Sequence, residues 1–175
     1  EAHSSQSGET SRNISMTFGL IVHSILNKIH IKAKTSEVTH EDIDTIIKAT
    51  TSSNENIKKE NDNKLNVILN KIYDYWDKYG QYWTVLGSEI PFNILKHNYN
   101  LNGQIDLIIK ENNANDITLI DFKTTTSEKV KLDLSTYIQQ LYIYMIALRE
   151  NPDYKQYNIK HVMIFTVLDT TPIYI

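Results

Sequence analysis

The stretch Gly103–Tyr144, GQIDLIIKENNANDITLIDFKTTTSEKVKLDLSTYIQQLYIY, decides how the rest of the chain is read. Two apolar runs, Ile105–Ile109 and Ile117–Phe122, flank a polar connection rich in Asn and Asp. That is the pattern of a β-hairpin with a long loop. Each run carries one acid, Asp106 and Asp121, and Lys123 stands two residues beyond the second. Strand side chains alternate faces, so Asp121 and Lys123 are expected on one face and Phe122 in the opposite layer. By the same alternation Asp106 shares a face with Gln104, while Ile105, Leu107 and Ile109 share the other. Farther on, Ser135–Arg149 carries Tyr137, Leu141, Tyr144 and Leu148 at helical spacing, a stripe that packs on a core. Gln140 and Tyr144 are i and i+4, one above the other on that helix.

Two carboxylates on neighbouring strands beside an ammonium suit a hard divalent cation, Mg²⁺ or Mn²⁺. An ion held this way activates water and stabilises a phosphoryl transition state. The lysine can neutralise phosphate charge or steer the attacking water. Each piece alone has an ordinary explanation. Acids at strand ends are common, D-x-K is short, Gln140 reads equally as a surface glutamine and Tyr144 as plain core. The order of the pieces along the chain gives the chemical reading its weight.

The set G-Q-I-D (Gly103–Asp106), I-D-F-K-T (Ile120–Thr124) and Q-L-Y-I-Y (Gln140–Tyr144) resembles the motifs of RecB-family nucleases, in the PD-(D/E)XK superfamily. Their pattern is G-x-x-D, then D/E-x-K, then Q-x-x-x-Y, after a helix that carries a histidine. Gly19–His23 is similar to that helix's G-T-x-x-H, with Leu20 where Thr is common. The resemblance runs from about Met16 to Val167 and is loosest between Ile31 and Tyr82. It implies a restriction-endonuclease-like α/β core, a mixed central sheet flanked by helices in the order α–β–β–β–α–β. Residues 31–80 would be a helical insertion capping one side of the groove. It further implies Mg²⁺- or Mn²⁺-dependent hydrolysis of DNA, preferentially single-stranded and from an end, in repair, replication or recombination. Helicase-linked RecB-type nucleases and mitochondrial genome-maintenance exonucleases are the similar proteins, and a helicase or another replication or repair protein would be the partner. In the implied site Asp106 and Asp121 hold the metal, with the Phe122 carbonyl and His23 completing the shell. Lys123 contacts the attacking water or the phosphate, and Gln140 and Tyr144 position Lys123 and the strand. Glu89 reads two ways, as a contact to metal-bound water or as an exposed strand-end acid. The alternatives are a structure-specific endonuclease, a catalytically silent DNA-holding module of a helicase–nuclease complex, and a protein-interaction domain.

The remaining sequence bounds these readings. A chain of 175 residues makes one domain with a real core. The absence of cysteine excludes disulfides, Cys-zinc sites and a four-cysteine iron–sulfur cluster. The net charge of −3 says little about nucleic acid; a local basic rim matters more, and Lys58, Lys59, Lys64, Lys129 and Lys131 are candidates. No apolar run is expected to reach membrane-spanning length, and no membrane partner is expected. Residues 1–15 are polar and Ser-rich, read as a disordered or linker segment ahead of a single domain over 16–175, and lack the apolar core of a secretory signal. The missing initial Met and the strand-like end are expected of an expressed fragment, a processed form or a segment of something longer. Met16–Ile31 reads as a helix with Phe18, Val22, Ile25 and Ile29 inward. Thr39–Ala49 reads as a second, with Thr39 and Asp42 as a capping box. A loop follows over Thr50–Asn63. Lys64–Tyr79 reads as a third helix, burying Leu65, Leu69, Ile72, Trp76 and Tyr79 and ended by Gly80. Tyr82–Leu86, Ser88–Leu95 and Leu101–Lys110 read as strands, with turns at Gly87 and 97–100 and with Pro91 marking an edge or a bulge. His161–Val167 is expected as the last core strand, beside the D-x-K strand.

Overall fold

The computed structural model describes residues 3–53 and 62–175, with side chains from Asn13 onward. The helices α1 (His3–Ala33), α2 (His40–Ser52) and α3 (Asp62–Lys78) come first. They are followed by β1 (Thr84–Lys96), β2 (Tyr99–Lys110), β3 (Asp116–Lys123), α4 (Ser127–Leu132), α5 (Leu134–Glu150), β4 (Asn158–Thr166) and β5 (Thr171–Tyr174). The strands form one five-stranded sheet in the order β1-β2-β3-β4-β5. β3 and β4 run parallel, joined by α4 and α5; the other neighbours are antiparallel. This is the mixed α/β sheet flanked by helices expected of a restriction-endonuclease-like fold.

The sheet has a core on each face. On one, Val22, Ile25 and Ile29 of α1 and Ile72 and Tyr75 of α3 pack on Leu107, Ile120, Phe122 and Phe165. On the other, Val130, Leu141, Tyr144 and Leu148 of α4 and α5 cover Ile105, Ile108, Leu119 and Ile164. Val22, Ile25 and Ile29 are fully excluded from water. Each such side chain contributes roughly 1.5–3 kcal/mol by burial, and cutting Ile25 to Ala should cost about 2–5 kcal/mol. α2 and α3 thicken the first layer beside α1. Thr39 caps α2 through a complete capping box with Asp42.

Several expectations change. α1 begins at His3, well ahead of Met16. Over Asn13–Ala33 it is long and apolar enough, by length and composition, to cross a membrane, contrary to the expectation that no run reaches that length. Here its apolar stripe is a wall of the core. α2 continues to Ser52 into the expected loop, and Lys58 and Lys59 lie outside the described residues. In α3 it is Tyr75, 1 % exposed, rather than Tyr79 that is fully buried. The two strands expected around Gly87 are one bulged strand, β1, whose register shifts between Val85 and Gly87. A Cβ at Gly87 would meet the Tyr154 hydroxyl and Ile90, so the glycine accommodates a partner far away in sequence. Pro91 does lie on an edge strand.

Candidate active site

β2 and β3 pair from Lys110↔Ile117 only as far as Leu107↔Ile120. Beyond that point the strands part, and a carboxylate fills the gap: Phe122 N–H donates to Asp106 Oδ2 at 2.7 Å. The opening is shaped from β1 as well. Glu89, opposite Asp106, has a φ of 45°, a left-handed conformation that is rare for a residue with a side chain. The irregularity breaks the expected alternation. Ile105 joins Ile90 and Ile108 in the α5-side core, while Leu107 and Ile109 face α1. Along β3 the alternation holds: Phe122 sits in the α1-side core, and Asp121 meets Lys123.

Lys123 is held from three directions. Its Nζ stands 3.1 Å from Asp121 Oδ2 and donates to Gln140 Oε1 at 3.1 Å. It also lies 5.1 Å from the centroid of the Tyr137 ring, a cation–π contact. Gln140 Nε2 in turn donates to Tyr144 Oη at 2.7 Å. A continuous polar chain thus runs from the D-x-K strand to α5, made possible by the i, i+4 stacking of Gln140 and Tyr144. Burial, with the charges of Asp121 and Asp106, pushes the Tyr144 hydroxyl well above the usual phenol range, so it stays protonated.

The other side of the opening is α1. His23 Nε2–H donates to the Phe122 carbonyl at 2.9 Å, and its Nδ1 is 3.7 Å from Asp106 Oδ1. His23, Glu89, Asp106 and Phe122 are among the residues lining a cavity of about 10 Å³, the lower limit for one water; Asp121 and Lys123 do not border it. His30, seven residues on, serves structure: it is buried, 2.6 Å from Tyr75 Oη, and stacked on Phe122 with centroids 5.6 Å apart. Burial pushes its pKa down to about 3, so it is neutral.

The donor types gathered here, two carboxylates, a carbonyl and an imidazole, are those that suit a divalent cation. Burial and the neighbouring Asp121 charge raise Asp106 to about 7, the signature of two carboxylates forced together with too little compensation. Among the described residues, Asp121 Oδ2 and Thr124 Oγ1 are the buried side-chain atoms without a hydrogen-bond partner, and both lie at this end of β3. Lys123 approaches Oδ2 as an ion pair without hydrogen-bond geometry, so that oxygen keeps lone pairs to offer. His23 Nε2 and the Phe122 oxygen are spent on each other at 2.9 Å, so the imidazole would have to give up that proton and that bond to act as a ligand. Among the described residues, no three imidazole or carboxylate side chains already converge as a finished cage. The donors are of mixed kind, and the imidazole and the carbonyl bond each other.

A model of the PD-(D/E)XK nuclease superfamily matches residues 3–170. The chain belongs to that superfamily. No curated protein matches it. PD-(D/E)XK proteins are typically nucleases, hydrolases that use divalent metals, and the order in their name, an acid and then acid-x-Lys, is met here by Asp106, Asp121 and Lys123. Beyond the sequence expectations, the cluster around Lys123 includes Tyr137, read at first only as part of the apolar stripe of α5. Its position one turn before Gln140 was the available signal. Lys129 and Lys131 are exposed on α4, and Lys64 is exposed on α3.

Proposed function

We propose that this chain is a RecB-type, Mg²⁺- or Mn²⁺-dependent deoxyribonuclease that hydrolyses phosphodiester bonds, preferring single strands and working from an end. The observation that carries this reading is the lysine clamp: one ammonium held between Asp121 and Gln140, beside the half-buried carboxylate of Asp106. Asp106, Asp121, the Phe122 carbonyl and His23 would hold the cation, with Glu89 facing its water. When bound, the cation supplies Lewis-acid stabilisation of the phosphate and acidifies water. The protein's own residues do the rest. Asp106 would be held as the carboxylate when the cation is bound. Lys123, anchored on two sides, keeps a donor for the attacking water or a non-bridging phosphate oxygen, where negative charge grows. Gln140 fixes Lys123 through its carbonyl and is itself fixed by Tyr144. Water adds to phosphorus, releasing one proton to solvent, and the P–O bond to the departing nucleotide breaks as that oxygen takes up one proton from solvent. In this reading α2 and α3 would cap one side of the groove, and a helicase or another repair or replication protein delivers the strand.

The test is a substrate panel. Linear single-stranded, linear duplex and circular single-stranded DNA are incubated with Mg²⁺, Mn²⁺ or EDTA. Cleavage of the linear single strand with metal, little of the circle and none in EDTA supports the proposal. Cleavage of the circle makes it an endonuclease. Binding without cleavage under every metal condition makes it a DNA-holding module.

A further inference from the structure

Gln140 and Tyr144 have a second side. Away from Lys123 they wall a groove of about 230 Å³ whose other borders include Phe92, Leu101, Asn102 and Gly103. Phe92, Asn102 and Gly103 also border an open hollow of about 610 Å³ along the β1–β2 hairpin. None of the residues bordering either space is charged.

Gly103 explains how the groove is built. It is the cross-strand partner of Phe92, and a Cβ on it would stand 2.6 Å from Phe92 Cζ. The Phe92 ring therefore lies across the bare backbone of β2. It also meets the Tyr144 ring edge-on, with centroids 5.5 Å apart. It is half-buried and borders the groove, a fixed aromatic platform. The exposed Asn102 amide at the rim offers both a donor and an acceptor.

We propose that this groove is a nucleobase subsite, in which Phe92 stacks one unpaired base of the strand whose phosphate lies at Lys123. The inference rests on the nuclease reading and deepens it. An uncharged lining with an aromatic face and an amide suits a base and not a phosphate. Continuity decides the occupant, because Gln140 is at once the groove wall and the partner of the Lys123 ammonium at 3.1 Å. A paired base stacked within a duplex cannot present its face to Phe92, so the subsite is a physical source of single-strand preference.

The test is binding of fluorescein-labelled oligothymidylate in Ca²⁺, with single abasic nucleotides placed at successive positions. Phe92→Ala should weaken binding about tenfold to a hundredfold, and Phe92→Trp should restore it. One abasic position should cost the wild type a similar factor and cost Phe92→Ala nothing. Equal affinity of Phe92→Ala and wild type, or the same abasic penalties in both, overturns the subsite while leaving the nuclease reading intact. A wild-type protein that neither binds nor cleaves DNA overturns both.

Discussion

Replacing Asp106 with Asn should make the metal-free protein more stable, even as it removes activity. The pKa of this carboxyl is raised from 3.8 to about 7, first by burial and then by Asp121. At about 1.36 kcal/mol per unit, the full penalty for ionising it in the fold is about 4 kcal/mol. Relaxation of its neighbours offsets part of this, and half leaves about 2 kcal/mol. The native state holds the proton up to about pH 7, whereas the unfolded chain releases it near 3.8. Between those values the native state binds more protons, so the stability this group contributes is full below about 3.8 and is lost as pH rises through about 7. Asn keeps an oxygen for the Phe122 N–H that now donates at 2.7 Å, and it carries no charge. In EDTA at pH 8, Asp106→Asn should therefore melt about 4–8 °C above the wild type, at roughly 2–4 °C per kcal/mol for a chain of this size. At pH 5 the gap should shrink to less than half. Saturating Mg²⁺ should reverse the order, since a ligand at a hundred times its Kd stabilises only the protein that binds it, by about 2.7 kcal/mol. Thermal unfolding followed by circular dichroism reads all three conditions. A variant no more stable than the wild type at pH 8, or a gap that ignores pH, would refute the reasoning.

The remaining predictions follow from single contacts. Asp121→Asn should lower single-turnover cleavage by about a hundredfold or more and weaken Mg²⁺ binding in calorimetry. Gln140→Ala releases one anchor of Lys123 and opens one wall of the proposed base subsite, so it should lower kcat by a larger factor than it raises KM; a pure KM effect would leave Gln140 only its part in the groove wall. Tyr75→Phe strips the buried His30 ring of its 2.6 Å partner and should cost about 1–3 kcal/mol in a denaturant titration while leaving kcat unchanged.

The parts of the site set by local periodicity were legible in the sequence. Period-two alternation put Asp121 and Lys123 on one face and Phe122 on the other, and i, i+4 spacing brought Gln140 to Tyr144; both arrangements are found. The order of the core elements was what the family resemblance implied, and β4 lies beside β3 as expected. What escaped was whatever depends on a distant partner. Gly87 reads as a turn until Tyr154 is placed against it. Ile105 breaks the alternation because β2 leaves β3 at Leu107 and Glu89 takes a left-handed φ opposite Asp106. Tyr79 and Tyr75 are both compatible with the stripe of α3, and the choice falls to the His30 and Phe122 rings that receive Tyr75. Tyr137 belongs to the helical stripe by pattern, and only the reach of the Lys123 side chain makes it part of the site.

The most direct test of the central claim is a pair of titrations on Lys123→Ala: DNA affinity in Ca²⁺ and single-turnover cleavage in Mg²⁺. The substitution leaves Asp106, Asp121 and the metal donors in place and removes the ammonium 3.1 Å from Asp121 Oδ2. DNA affinity should change little, because phosphate contacts are spread along the groove. Cleavage should fall by about a hundredfold or more, because the lysine acts on charge that develops in the transition state. Lys123→Arg should recover little of it, since the wider guanidinium cannot take the same place between carboxylate and glutamine. Preserved binding with lost cleavage is the result the account predicts; an equal loss of both, or cleavage that survives the substitution, would contradict it.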